Sequence, residues 1–129
     1  MVFKINLIKI PERIPAEGFN IPVLAGFKVF NKIPFIAFAK NNFNPKLILY
    51  DDYLEVRVFW KKIKIFYFDI NFINVLFTFG TRNLIICSKG KVMCYSCNLW
   101  KIENLKEVLS FFDKKKVRLS SKANNILKN

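Results

Sequence analysis

The chain contains no histidine and only 4 glycines among its 129 residues. Without histidine the commonest general base is missing, and with it the Ser–His and Cys–His pairs and most catalytic metal sites. Four scattered glycines cannot write a phosphate-cradling loop or a dinucleotide fingerprint, and neither pattern occurs. Arginine is scarce as well. Of 22 basic residues 18 are lysine, so the side chain suited to bidentate phosphate and base-edge contacts is rare.

Long uncharged runs are also missing. The densest apolar stretch, Ile21 to Ala39, carries Lys28, Asn31 and Lys32 inside it and Pro22 and Pro34 near its ends. A spanning helix needs about 20 residues nearly free of charge, so none is predicted. The opening Met1-Val2-Phe3-Lys4-Ile5-Asn6 alternates like a strand and lacks the continuous apolar core of a signal peptide.

Cysteine is present three times, an odd count that points to reduced, buried thiols in a cytoplasmic setting. Cys94-Tyr95-Ser96-Cys97 forms a C-x-x-C, but a strand over 91–97 turns these two thiols to opposite faces. A structural zinc needs four ligands, and three cysteines without a histidine cannot supply them. A two-residue turn at Lys89-Gly90 would leave Cys87 and Cys94 as diagonal neighbours roughly 7–8 Å apart, too far for a bridge. No metal and no cofactor are expected. Paired acids are equally unpromising: Asp51-Asp52 sits in a turn, and Glu103 and Glu107 fall on a solvated helix face among Lys101 and Lys106. No enzyme is indicated, and no small-molecule substrate.

What the chain has in plenty is apolar mass and positive charge. Hydrophobic residues make up 53%, with 15 phenylalanines, ample for the core of one domain and incompatible with general disorder. The formal net charge of +13 suits a polyanionic partner, either nucleic acid or an anionic membrane surface. The joint excess of Lys, Asn, Ile and Phe is also what an AT-rich coding sequence writes into any protein, so the charge alone names no partner.

Prolines and glycines break residues 1 to about 45 into short pieces, with strands expected over Phe3–Ile10 and Phe27–Ala39 and no helix of any length. From Lys46 a regular two-residue rhythm begins. Leu54, Val56, Val58 and Trp60 face one way, and Tyr53, Glu55, Arg57 and Phe59 the other. Ile63, Ile65 and Tyr67 continue it with Lys64, Phe66 and Phe68 opposite, after a turn at Lys61-Lys62. Strands at Val75–Phe79, Leu84–Ser88 and Lys91–Cys97 follow. The period then changes: Ile102, Leu105, Val108, Leu109 and Phe112 recur at helical spacing, predicting one amphipathic helix from Lys101 to Lys114.

The expected fold is therefore mainly β (α+β), with bent antiparallel sheets forming a small sandwich or barrel capped by a C-terminal amphipathic helix. Residues 1–116 form a single β-rich domain, in which 1–44 pack on a core of 45–116. Residues 117–129 form a frayed basic tail. Over 45–116 this order of elements resembles a pleckstrin-homology-like domain of the short bacterial type. The residues that carry the likeness are Leu47-Ile48-Leu49-Tyr50-Asp51-Asp52-Tyr53-Leu54, Phe68-Asp69-Ile70 and Asn104-Leu105-Lys106-Glu107-Val108-Leu109. The resemblance implies docking rather than catalysis, on lipid head groups, peptides or a second copy. Phosphoinositide-binding members carry a basic loop where this chain has the acidic Asp51-Asp52.

Two candidate binding regions follow. One is the hairpin carrying Phe59, Lys61, Lys62, Lys64, Phe66 and Phe68, whose two faces are both apolar; residues 1–44 are expected to cover one of them. The other is the basic run Lys114, Lys115, Lys116 and Arg118, worth roughly 1 kcal/mol per cation near an anionic membrane. A protein partner or homo-oligomer is the leading expectation, at a cytoplasmic or peripheral membrane location. A basic β-barrel stacking single-stranded nucleic acid on Phe and Tyr is the rival.

Overall fold

A computed structural model describes residues 7–23, 25–30, 37–41, 46–58, 61–77, 82–90, 93–99 and 101–129. Nine strands and two helices run along it: β1 (Phe19–Ile21), β2 (Ala25–Phe30), β3 (Ala37–Asn41), β4 (Lys46–Leu49), β5 (Tyr53–Val58), β6 (Lys61–Phe66), β7 (Ile70–Leu76), β8 (Asn83–Ser88), β9 (Met93–Asn98), α1 (Ile102–Lys114) and α2 (Ser121–Lys128). They form two antiparallel sheets, ordered β1-β4-β5-β6 and β3-β2-β9-β8-β7. Among the described residues the sheets share no strand, so they do not close into a barrel. No helix among these residues is long and apolar enough to cross a membrane.

The two-residue rhythm after Lys46 produces the first sheet. Its register sets Leu47 against Val56, Leu49 against Leu54, and Leu54 against Ile65, so one face is continuously apolar. That face joins Ile73 and Val75 of β7, Leu84 and Ile86 of β8 and Cys97 of β9 in one buried cluster, which α1 completes with Leu105, Val108, Leu109 and Phe112. Ile14 and Ile21, from the proline-rich beginning of the chain, enter the same cluster. Both faces of β8 are buried: Ile85 and Cys87 face away from Leu84 and Ile86 and pack with Cys94, Phe72 and Leu76. A strand covered on both sides reads as an unbroken apolar run, as Leu84-Ile85-Ile86-Cys87 does.

The bend between the sheets falls earlier than the rhythm suggested. Instead of a strand running on to Ile70 and another from Val75, a 3-10 turn at Tyr67–Asp69 ends the first sheet, and β7 starts at Ile70. The expected strand at Phe3–Ile10 lies partly outside the described residues, and residues 7–10 form no strand. They instead lie along α1, where Asn104 Oδ1 accepts from Ile8 N–H at 2.9 Å and Glu107 Oε2 from Ile10 N–H at 2.7 Å. Glu107 is thus an anchor for the N-terminal strap rather than part of a purely solvated face.

Residues 117–129, expected as a frayed tail, are folded. Helix α1 stops at Lys116, which adopts φ 62°; Lys116 N–H donates to Asp113 O and Val117 N–H to Phe112 O. These two bonds satisfy the last carbonyls of the helix in the usual left-handed stop. The chain then runs beside β7 as a parallel bridge between Leu119 and Ile73, with Ile73 N–H donating to Arg118 O and Ser120 N–H to Ile73 O. Ser120 caps α2 by accepting from Ala123 N–H, and Ala123 is fully buried. The signal was legible: Ser120 is a preferred N-cap residue, and Leu119, Ala123, Ile126 and Leu127 share one helical face.

Left-handed backbone strains any residue with a side chain, and Lys116 carries that strain. Lys116→Gly is expected to stabilise the fold by about 1 kcal/mol, read as a higher urea midpoint at unchanged slope. An unchanged or lower midpoint would show that the Lys116 side chain offsets its backbone strain.

Candidate functional site: an aromatic ridge flanked by cations

The second face of the first sheet holds most of the candidate binding residues. Alternation places Ile48 and Tyr50 at the β4 side, Tyr53, Glu55 and Arg57 on β5, and Lys62, Lys64 and Phe66 on β6 on this face, with Tyr53 paired to Phe66, Glu55 to Lys64 and Arg57 to Lys62. The tight Asp51-Asp52 connection, closed by Tyr50 N–H donating to Tyr53 O, brings the two tyrosine rings face to face. Their centroids lie 4.6 Å apart at 18°. Tyr53 meets Phe66 at 5.6 Å, and Phe66 stacks on Phe68 at 5.3 Å and 24°. Four rings therefore form one continuous ridge ending in Phe68, which is 70% exposed.

Gly18 supports the start of this ridge. Its φ of +87° is the left-handed region, and a Cβ there would lie 2.6 Å from Ile48 Cγ2 and 2.9 Å from the Tyr50 ring. Only glycine lets the N-terminal turn press so closely on both.

Cations border the rings. Lys64 Nζ lies 4.2 Å from the Tyr53 centroid and 5.0 Å from that of Phe66, within cation–π range. Glu55 pairs with Arg57 at 2.9 Å. Lys46 and Lys62 are exposed on the same face, so among the described strand residues Lys46, Arg57, Lys62 and Lys64 accompany Glu55, while the exposed Asp51, Asp52 and Asp69 lie in the turns at the ridge end.

The expected coverage of one hairpin face by residues 1–44 takes a different form. Ile14 and Ile21 go to the inner face, whereas Tyr53 and Phe66 on the outer face stay half-buried and Phe68 stays open. Of the predicted site residues, Lys62, Lys64, Phe66 and Phe68 come together here. Phe59 lies outside the described residues, and Lys61 is placed only by the backbone of β6. Sequence reasoning missed Tyr50, because its alternation breaks at the turn and only the tertiary fold stacks it on Tyr53.

The fold divides the basic run. Lys115 is half-buried: its Nζ donates to Asp51 O at 2.8 Å and lies 5.7 Å and 5.6 Å from the rings of Tyr67 and Phe111. It ties the end of α1 to the turn that carries the ridge. Lys116 serves the helix stop, and Lys114 and Arg118 remain exposed.

The cysteine expectation is corrected. Cys87 and Cys94 are joined by a disulfide, with Cα atoms 4.5 Å apart. They are directly opposite rather than diagonal, because the β8–β9 register pairs Cys87 with Cys94, which a two-residue turn at Lys89-Gly90 would not do. A separation of 4.5 Å is that of a non-hydrogen-bonded antiparallel pair, where side chains come closest. Cys97 points to the opposite face as expected, buried in the main core, where burial pushes its thiol up to about 12. Among the described residues no group of His, Cys, Asp or Glu is arranged to hold a metal.

Clefts also lie elsewhere among the described residues. One of about 220 Å³ is lined by Ile10, Glu12, Glu107, Phe111, Lys114 and Lys115, and its Glu107 is already bound to Ile10 N–H. Another of about 400 Å³ beside Arg118–Ser121 is lined by no carboxylate or thiol. No protein-family model, curated protein or solved structure matches the chain.

Proposed function

We propose that this chain is a non-enzymatic docking module of pleckstrin-homology-like architecture that grips an acidic protein partner through the ridge Tyr50–Tyr53–Phe66–Phe68. The observation that carries the reading is a stacked aromatic row with one exposed end, bordered by Lys64 and continued along the same sheet face by Lys46, Arg57 and Lys62. Rigid aromatic anchors inside a charged rim are the usual hot-spot composition of protein interfaces. Two bent antiparallel sheets with an amphipathic helix completing their core support the architecture; α2 is an addition to it.

Two rivals fit less well. Single-stranded nucleic acid needs free ring faces to stack its bases. Here Tyr53 already stacks on Tyr50 and lies under the Lys64 ammonium, while Phe66 is stacked on Phe68. Self-association by a two-fold contact would oppose the same cations on both copies, which costs affinity.

The test uses an acidic peptide alternating glutamate with apolar residues, its lysine counterpart and a single-stranded oligonucleotide, each titrated while the amide spectrum is followed. Binding of the acidic peptide alone, weakened roughly 30-fold by Phe66→Ala and tenfold or more by raising salt, is expected. Phe66→Ala must keep the wild-type unfolding midpoint within about 1 kcal/mol, since the ring is half-exposed. Preferential binding of the oligonucleotide with the same Phe66 dependence would transfer the function to nucleic acid.

A further inference from the structure

The edge beside the ridge has a definite hydrogen-bonding polarity. Tyr67 N–H donates to Asp52 O at 3.2 Å, and the β5–β6 register continued one step makes these two residues partners. In an antiparallel ladder, hydrogen-bonded and non-hydrogen-bonded pairs alternate. Ile65 and Ile63 therefore turn their backbone groups toward β5, whereas Lys62, Lys64 and Phe66 turn theirs away from it. Among the described residues β6 pairs with β5 alone and ends its sheet. Ile63 is half-buried although its cross-strand partner Val56 is 1% exposed, so the inner side of this edge is incompletely roofed.

We infer that an acidic, extended segment of the partner adds to the first sheet as a strand along β6, bonding to the backbone of Lys62, Lys64 and Phe66. This rests on the docking reading above and specifies how the partner sits. Lysines on an edge strand commonly guard against edge-to-edge association. That guard repels another basic chain, including a second copy of this one, and attracts an acidic strand. Side-chain alternation then dictates the partner's pattern. Residues on the ridge face meet Lys62, Lys64 and Phe66 and should be acidic or aromatic; those between them meet Ile63 and Ile65 and should be apolar.

Hydrogen exchange on the intact chain with a glutamate–valine alternating peptide tests this. The amides of Lys62, Lys64 and Phe66 should exchange fast in the free protein and at least tenfold more slowly with peptide; those of Ile63 and Ile65 should be slow throughout. N-methylating one alternate set of peptide amides should weaken binding by about tenfold or more, and methylating the other set should be tolerated. Equal tolerance of both sets, with binding still lost in Phe66→Ala, would overturn strand addition and leave the ridge as the docking surface. Binding unaffected by Phe66→Ala, or no binding of the unmodified peptide, would overturn both.

Discussion

Tyr67→Ala should cost the fold about 3–5 kcal/mol, enough to unfold much of a domain whose whole stability is of order 5–15 kcal/mol. The ring sits in the 3-10 turn where one sheet gives way to the other, 8% exposed, edge-on to Phe111 at 5.6 Å and Phe112 at 6.2 Å. Its hydroxyl donates to Tyr50 O at 2.6 Å, and Lys115 lies over its face. Truncation would open a cavity between β6 and α1 and release the first residue of the ridge. Tyr67→Phe keeps the packing and loses only the hydroxyl, so about 1–2 kcal/mol is expected, the cost of leaving a carbonyl unpaired. Urea denaturation of the three proteins reads both differences. Equal losses would show that packing contributes nothing beyond the hydrogen bond.

The same hydroxyl gives a pH dependence with a definite sign. Burial, more than any neighbour, raises the Tyr67 pKa above its ordinary value of 10.0, with the carboxylates of Asp51 and Asp52 acting in the same direction. A raised folded pKa means that the contribution is full below about pH 10 and is lost as pH climbs from there toward the folded value. Cys97, also raised by burial, from 9.0 to about 12, starts the decline one unit earlier. Stability should therefore hold to about pH 9 and fall above it, and Tyr67→Phe should flatten the portion above pH 10. A midpoint constant from pH 8 to 11.5 would contradict both assignments.

Removing the Cys87–Cys94 bridge is the second large effect. The cysteines are 7 apart in sequence, and closing a ring of that size restricts the unfolded chain by roughly 2–3 kcal/mol in the chain-entropy account. Cys87→Ala with Cys94→Ala should then lower the unfolding midpoint by roughly 10 °C, compared with the oxidised wild type. Both residues are almost wholly buried, 1% and 0% exposed, so reductant should act on the unfolded chain and hardly at all on the folded one. Thiol titration of the denatured, unreduced protein should count one thiol, that of Cys97. Three thiols, or a shift under about 2 °C, would remove the bridge from the account. Reduced cysteines in a cytoplasmic setting were the expectation from an odd cysteine count; burial on both faces of β8 is what would keep this bridge closed to exchange.

Much of the β-structure was legible because its signals are local. Alternation from Lys46 to Phe66 fixes which side chains share a face, and the switch at Ile102 to helical spacing fixes α1. The absence of histidine and of glycine motifs follows from the list of residues alone. Phe66, Phe68, Lys62 and Lys64 could be named as neighbours for the same reason: on a strand, residues two apart must point together.

What depended on tertiary structure is whatever turns on register or on contacts between distant segments. The β8–β9 register set Cys87 and Cys94 directly opposite one another rather than diagonally, and no composition rule supplies that register. The fate of 117–129 depended on a free edge of β7 being there to receive Leu119, and Lys115 left the basic run because the Asp51 carbonyl lay within its reach. Tyr50 joined the ridge only through the bend after β4, whose direction the core decides. Periodicities and inventories are properties of neighbours along the chain and can be read from it; pairings need the positions of two segments at once, and those come only with folding.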